Sequence, residues 1–311
     1  MRAVYFDDGK IDLREVPELP DKGTKVYVRS IGICGSDLHM LDMKVPISCI
    51  VGHEIAGVLD DGKPVAVEPV VPCNSCGNCR TGHYNMCQLG AETVLGYGRN
   101  GGMADQVRVP ERCLVYLPSN VDVKDACLIE PLAVAVHGMR KAGVNGNQRV
   151  AVIGGGTIGL SAVAVAKLSC AEVGLSARHR HQMTAGIRLG ASEIEGLYDI
   201  VVECAGTESA VNQAVELCRP NGTLLMLGTY WQGLSFPMMV AMMKEITIVP
   251  SYMYAASDTG RDFDIAAALL ARNPEIASTL ITHRFPLAEV TQAYSVARDR
   301  KAGAIKVILE P

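Results

Sequence analysis

Short runs in which apolar and polar residues alternate open the chain: Arg2–Phe6, Ile11–Val16 and Lys25–Ile31, separated by Pro and Gly. A period of two is that of half-buried strands. Residues 51–71 continue it, with Asp60-Asp61-Gly62 as a hairpin turn. Residues 72–102 break it, holding seven Gly and four Cys with little periodicity, so this stretch is expected to be a loop that needs an external staple. Val107–Pro118 returns to strand, giving a mostly β domain over roughly the first 120 residues. The pattern then switches to strands alternating with helices. Asp125–Ala142 is an apolar helix, and Arg149–Ile153 is a β-branched run ending in a glycine loop. Helices are predicted at Thr157–Ser169, Gln182–Leu189 and Glu208–Cys218, and strands at Glu172–Ser176, Asp199–Glu203, Thr223–Leu227 and Ile246–Val249. Such alternation predicts a parallel sheet covered on both faces. An amphipathic helix Phe263–Ala271, the stretch Ile276–Phe285, a helix Leu287–Asp299 and a strand Ala304–Leu309 complete the chain.

Composition narrows the class. At 311 residues, 49% of them hydrophobic, two domains are expected. Net charge is −4 with both signs interspersed, which leaves no basic footprint for nucleic acid or a membrane surface. The N-terminus lacks the apolar core of a signal peptide, and the most apolar helical stretch is short and carries Lys167, so a cytoplasmic protein is expected. Eleven cysteines in a reducing compartment argue for metal or buried thiols over disulfides. Cys49, Cys113, Cys127, Cys170, Cys204 and Cys218 are taken as small buried hydrophobes.

Three motifs carry chemistry. Cys34-Gly35-Ser36-Asp37-Leu38-His39 is followed nineteen residues after Cys34 by Gly52-His53-Glu54. Thiolate, imidazole and carboxylate are the ligand types of a catalytic zinc with an open position. Cys73, Cys76, Cys79 and Cys87 lie at short spacings in the Gly-rich loop, which suits a closed structural zinc. The residues between them are neutral apart from the nearby Arg80, unlike a nucleic-acid zinc ribbon. Gly154-Gly155-Gly156-Thr157-Ile158-Gly159 follows a strand and opens a helix, the context of a dinucleotide fingerprint. Gly154 is assigned the tight turn, Gly156 the approach of a pyrophosphate and Gly159 the packing of helix on strand. Thr157 and Ile158 form the helix N-terminus that attracts phosphates. Ala177 stands where a ribose-binding acid is expected, and Arg178 and Arg180 follow it. That favours NADP(H) over NAD(H); the alternative is a solvated basic turn in an NAD enzyme.

Taken together, these segments resemble the zinc-containing medium-chain alcohol dehydrogenases over essentially the whole chain. Gly101-Gly102-Met103-Ala104, Asp199–Gly206, Leu280-Ile281-Thr282-His283 and Lys301–Leu309 also match, and Ile129-Glu130-Pro131-Leu132-Ala133-Val134 is similar to the polyol and butanediol branch. The resemblance implies a GroES-like, mostly β catalytic domain (residues 1–143 and 254–311) around a Rossmann doubly wound parallel sheet (residues 144–253). It implies a catalytic zinc near Cys34, His53 and Glu54. Glu130 would be the fourth ligand, a carboxylate bonded to the zinc water, or only an acid favoured by a helix N-terminus. Ser36 would bond the substrate hydroxyl, His39 would pass the proton outward, Asp37 would support the site and Lys306 would contact cofactor phosphates. The expected reaction is hydride transfer between a secondary alcohol or polyol and a nicotinamide, by a homodimer or homotetramer with two zinc ions per chain. A metal-free reductase of C=C bonds and a non-enzymatic zinc-ribbon protein are the competing readings. The chain also departs from the family: the loops before His53 and Cys73 are short, and no room for a helix remains between Ala191 and Asp199.

Overall fold

The computed structural model describes residues 1–20, 22–169 and 172–311; Cys170 lies outside them. Its packing divides the chain into two units. One comprises Met1–Glu130, Ala255–Ala277 and Ile281–Pro311, and the other Pro131–Tyr254 and Ser278–Leu280. The first crossing therefore falls at Glu130, thirteen residues before the boundary expected from sequence. The helix Ile129–Lys141 accounts for the difference, because its later turns lie on the parallel sheet. A Cβ at Gly138 would meet the Leu227 and Leu225 side chains at 2.6 and 3.3 Å.

In the first unit a seven-stranded sheet runs in the order Ile281–Pro286, Lys306–Glu310, Thr24–Gly32, Glu54–Val58, Pro64–Val67, Leu114–Tyr116, with Gln106–Val109 also paired to Thr24–Gly32. The expected single strand Val107–Pro118 is thus two strands, parted by the turn Glu111–Cys113. Apart from the parallel pair formed by the two C-terminal strands, neighbours are antiparallel. A separate hairpin joins Arg2–Asp7 to Lys10–Glu15. Its turn, Asp8-Gly9, takes positive φ at both residues, as a two-residue hairpin loop requires.

The second unit holds a six-stranded parallel sheet in the order Ser192–Glu193, Glu172–Ser176, Arg149–Ile153, Tyr198–Glu203, Cys218–Met226, Thr247–Pro250. Numbered along the chain within this unit, that is 3-2-1-4-5-6, the doubly wound order that places a dinucleotide where the strand order reverses. Tyr198, Val201, Leu224, Ala214 and Val215 form part of the core between this sheet and the helix Glu208–Leu217. The helix missing from the sequence is missing here: Glu193 leads to Tyr198 through a short loop. The Tyr198 side chain takes its place on the sheet, its hydroxyl 2.4 Å from where a Cβ at Gly174 would lie. Arg149 then staples the loop, donating to the Leu197 carbonyl (2.5 Å), the Glu195 carbonyl (2.8 Å) and Glu172 (2.7 Å from Nε).

Candidate active site and cofactor loop

Antiparallel register assembles the first donor group. Gly32 pairs with Glu54 across two strands, so the chain leaving one strand at Cys34 meets the chain entering the other at His53. Gly52 allows that entry: its φ is +91°, and a Cβ there would lie 2.5 Å from Met103. The donor atoms of Cys34, His53 and Glu54 come within 4.8 Å of one another. His53 and Glu54 are 6% and 1% exposed, a depth at which carboxylate and imidazole need compensation. Glu130, 6% exposed, is outside that three-residue group, but its charge bears on His53.

The surrounding contacts fit a cation. Asp37 is fully buried, accepts the Cys34 backbone N–H at 2.9 Å, and turns its other oxygen to His53 Nδ1 at 3.6 Å. Among the described residues neither that oxygen nor Nδ1 has a hydrogen-bond partner. A carboxylate behind an imidazole nitrogen is how metal-ligating histidines are oriented, with the other nitrogen left for the ion. Burial would lower the His53 pKa, but the negative groups of Asp37 and Cys34 outweigh it and raise it well above the usual value. The residues thus supply a pocket of negative charge centred on a nitrogen and a sulfur, the chemistry zinc requires.

Lys306 corrects an expectation. Its side chain is 2% exposed, and its ammonium donates to both Glu54 oxygens at 2.7 Å and to the Ile33 carbonyl at 3.0 Å. An ammonium enclosed in this way has no donor left to turn to a cofactor phosphate. The strand Lys306–Glu310 carries it inward, beside the strand that ends at Gly32.

Ser36 and His39 lie one turn apart on the helix Gly35–Asp42, hence on one face. Sequence reasoning missed Tyr97, whose hydroxyl donates to Ser36 Oγ at 2.8 Å and whose ring centre is 5.3 Å from that of His53. Burial, then the charges of Cys34 and Asp37, push its pKa up, so it remains a phenol. A Tyr in a Gly-rich loop has no spacing signature by which to find it.

The four loop cysteines also converge, their sulfurs within 4.8 Å of one another. Cys76 and Cys79 sulfurs are 3.3 Å apart, and the Cys76 N–H donates to Cys73 sulfur at 3.3 Å. Donors from Ser75 and Cys76 lower the Cys73 pKa to about 5, toward the thiolate a metal needs, while burial and then the neighbouring thiols push Cys79 up to about 12. The loop is tied down by Glu68, fully buried, which accepts from Tyr84, from Arg112 at 3.3 Å and from Arg261 at 3.1 Å. The described cysteines are all free thiols, with Cys113, Cys127 and Cys218 buried as expected and Cys49 and Cys204 partly so.

In the second unit Gly154 ends the strand Arg149–Ile153 with φ +110°. A Cβ at Gly159 would fall 1.8 Å from the Gly154 carbonyl oxygen, whereas one at Gly156 would meet nothing. Gly156 therefore faces open space at the start of the helix Thr157–Ser169, where Thr157 and Ile158 lie. Gly155 has its own requirement, since a Cβ there would lie 2.8 Å from that of Ala177. Ala177 thus abuts the loop from the end of Glu172–Ser176, and Arg178 and Arg180 are exposed beyond it. The rings of His179 and His181 stack with their centres 5.5 Å apart.

Comparison with known proteins agrees with this arrangement. Residues 20–119 match the alcohol dehydrogenase GroES-like domain, and residues 191–272 the zinc-binding dehydrogenase family. L-galactonate-5-dehydrogenase of Escherichia coli (strain K12) is 31% identical over 90% of this chain and 89% of its own length. A putative zinc-binding dehydrogenase from Sinorhizobium meliloti 1021, solved with NADP, is 28% identical with a TM-score of 0.88, covering 100% of this chain and 99% of its own. L-idonate 5-dehydrogenase from Escherichia coli is 26% identical, also with a TM-score of 0.88, covering 100% and 97%. No helix of the described residues is long and apolar enough to cross a membrane. The chain belongs to the zinc-containing medium-chain alcohol dehydrogenases, on their polyol dehydrogenase-like branch, and is an oxidoreductase that acts on CH–OH groups with zinc and a nicotinamide cofactor.

Proposed function

We propose that the enzyme interconverts a polyhydroxylated secondary alcohol and its ketone, with NADP(H) preferred over NAD(H) and two zinc ions per chain. The observation that carries the reading is the convergence of Cys34, His53 and Glu54 in a buried, negatively charged group. Those three residues would hold the catalytic zinc, with Glu130 as a fourth ligand or a carboxylate beside it. Cys73, Cys76, Cys79 and Cys87 would hold the structural one. When bound, zinc polarises the substrate oxygen and lowers the pKa of its hydroxyl, while the nicotinamide exchanges hydride with the carbon.

The rest is the work of the chain. Asp37 fixes the His53 ring, and Lys306 balances Glu54, so the metal site is held in shape from behind. Ser36 Oγ accepts the proton of the substrate hydroxyl as its own hydroxyl proton passes on toward His39, and its bond from Tyr97 sets the direction of its lone pairs. His39, one turn on, carries the proton toward solvent. Gly156 and the N–H groups at Thr157 and Ile158 receive the pyrophosphate. Arg178 and Arg180 would bind a 2′-phosphate, a charge-assisted contact of roughly 1.5–3 kcal/mol each. Relatives that act on L-galactonate and L-idonate, and a neighbour solved with NADP, support the substrate class and the cofactor. We also infer a homodimer or homotetramer, from the apolar helix beside the edge strand of the second unit.

Kinetics with a panel of polyols, aldonates and simple alcohols, each with NADP and NAD, test the reading alongside elemental analysis. Two zinc ions per chain and a higher kcat/KM with NADP are expected. Ala177→Asp with Arg178→Ser should reverse the cofactor order. Preference for NAD in the wild type would reduce the basic turn to a solvated surface, and one zinc unaffected by Cys34→Ser would remove the catalytic metal.

A further inference from the structure

The loop that carries Tyr97 is mounted on the same backbone as the metal ligand His53. Gly96 closes a tight turn, its N–H bonded to the Arg99 carbonyl at 2.7 Å. A Cβ at Gly96 would lie 2.8 Å from the Gly52 nitrogen, and one at Gly101 would lie 2.2 Å from the Gly52 oxygen. Backbone therefore packs on backbone at the residue immediately before His53, so the phenol cannot drift relative to the donor group. Its hydroxyl is 2.8 Å from Ser36 Oγ, the atom assigned to the reacting hydroxyl.

That bond fixes what Tyr97 can do next. A phenol has one proton to donate, and here it is committed to Ser36. The phenolic oxygen keeps lone pairs, so toward a substrate it is an acceptor. Two oxygens on adjacent carbons, gauche to each other, sit at hydrogen-bond spacing, the same spacing that separates Ser36 Oγ from the Tyr97 oxygen. A substrate whose reacting oxygen meets Ser36 thus brings the oxygen of its neighbouring carbon to Tyr97, and the group there must carry a proton.

We propose that Tyr97 is a specificity-determining residue that selects a free hydroxyl on the carbon next to the reacting carbinol, that is, a vicinal diol. The proposal rests on the assignment of Ser36 to the substrate hydroxyl in the function above. In place of the phenol, an apolar ring would leave the second hydroxyl buried without a partner, at a cost of about 1–3 kcal/mol. A site built to bond a hydroxyl discriminates in the same way against analogues that lack it.

Three probes that share a secondary carbinol test this: propylene glycol, its methyl ether that leaves the secondary hydroxyl free, and isopropanol. The wild type should show a higher kcat/KM for the glycol than for the ether or isopropanol. In Tyr97→Phe the ratio of glycol to ether should fall about ten- to hundredfold, chiefly through KM for the glycol. Calorimetric titration of the enzyme with bound reduced cofactor gives the same ratio as binding constants, independent of turnover. Unchanged melting temperature and zinc content establish that the variant is folded and loaded. An unaltered ratio in Tyr97→Phe, or equal binding of glycol and ether by the wild type, overturns the proposal. If isopropanol and the glycol both turn over without discrimination, only the role of Tyr97 fails. If no alcohol turns over with either cofactor, the proposed function fails, and the binding ratio still decides on Tyr97.

Discussion

Behind the group of Cys34, His53 and Glu54, the residue on which most depends is Lys306. Its ammonium is buried with both Glu54 oxygens at 2.7 Å, and removing one member of such a pair leaves an uncompensated buried charge. Lys306→Met should lower stability by about 3–5 kcal/mol in urea unfolding of the metal-depleted protein. The double change Lys306→Met, Glu54→Leu should recover much of the loss. If the double variant is no more stable than the single one, the pair is not what fixes this corner. Burial would lower the lysine pKa, but Glu54 raises it above 10.5, its ordinary value. A raised amine pKa means the contribution is complete below pH 10.5 and is lost as pH rises through the folded value, so the wild type should weaken relative to Lys306→Met only in strong alkali.

At the scale of elements, two of the four glycines in the loop Gly154–Gly159 should separate structure from binding. Gly159→Ala drives a methyl group into the Gly154 carbonyl, between strand and helix, where neither backbone can retreat. It should cost at least 1–3 kcal/mol and lower the melting temperature by several degrees. Gly156→Ala meets open space, so its melting temperature should stay within a degree or two while fluorescence titration shows weaker NADPH binding. Equal thermal loss in both variants would contradict the division of roles. The cysteine loop makes a similar case. Cys87→Ser should remove one zinc per chain by elemental analysis and open residues 72–102 to protease, because Glu68 grips that segment at Tyr84 while its arginines lie outside it.

At the scale of the whole molecule, the sheet of the second unit ends, among the described residues, in an edge strand with no neighbour beyond it. Thr247–Pro250 is the outermost strand, and the helix Met238–Met243 beside it exposes Met239 at 66% and Met243 at 78%. An open edge next to an apolar surface is a template for association unless something covers it. A second copy of the chain would bury both. Met239→Glu with Met243→Glu should shift the mass in light scattering to that of one chain without loss of secondary structure. A wild type that is already monomeric at micromolar concentration would refute the assembly.

Local chemistry was legible in the sequence because it is written at short range. The four-cysteine spacing, Cys34 with His53 and Glu54, the glycine fingerprint and the missing helix before Tyr198 depend on residues close in the chain or on strand periodicity. The sequence by itself therefore determined the two-part architecture and which thiol, imidazole and carboxylate side chains gather in two groups. What it could not determine were pairings between distant segments, since neither partner carries a mark of the other. Lys306 and Glu54 are separated by 252 positions and Tyr97 and Ser36 by 61. Only the tertiary structure decided that the lysine closes on the carboxylate beside Cys34 and His53, and that a phenol stands over the serine. Both outcomes follow from backbone packing, by the strand Lys306–Glu310 against the strand ending at Gly32 and by Gly96 and Gly101 against Gly52. Close approach of main chains settles where a side chain ends, and no periodicity records it.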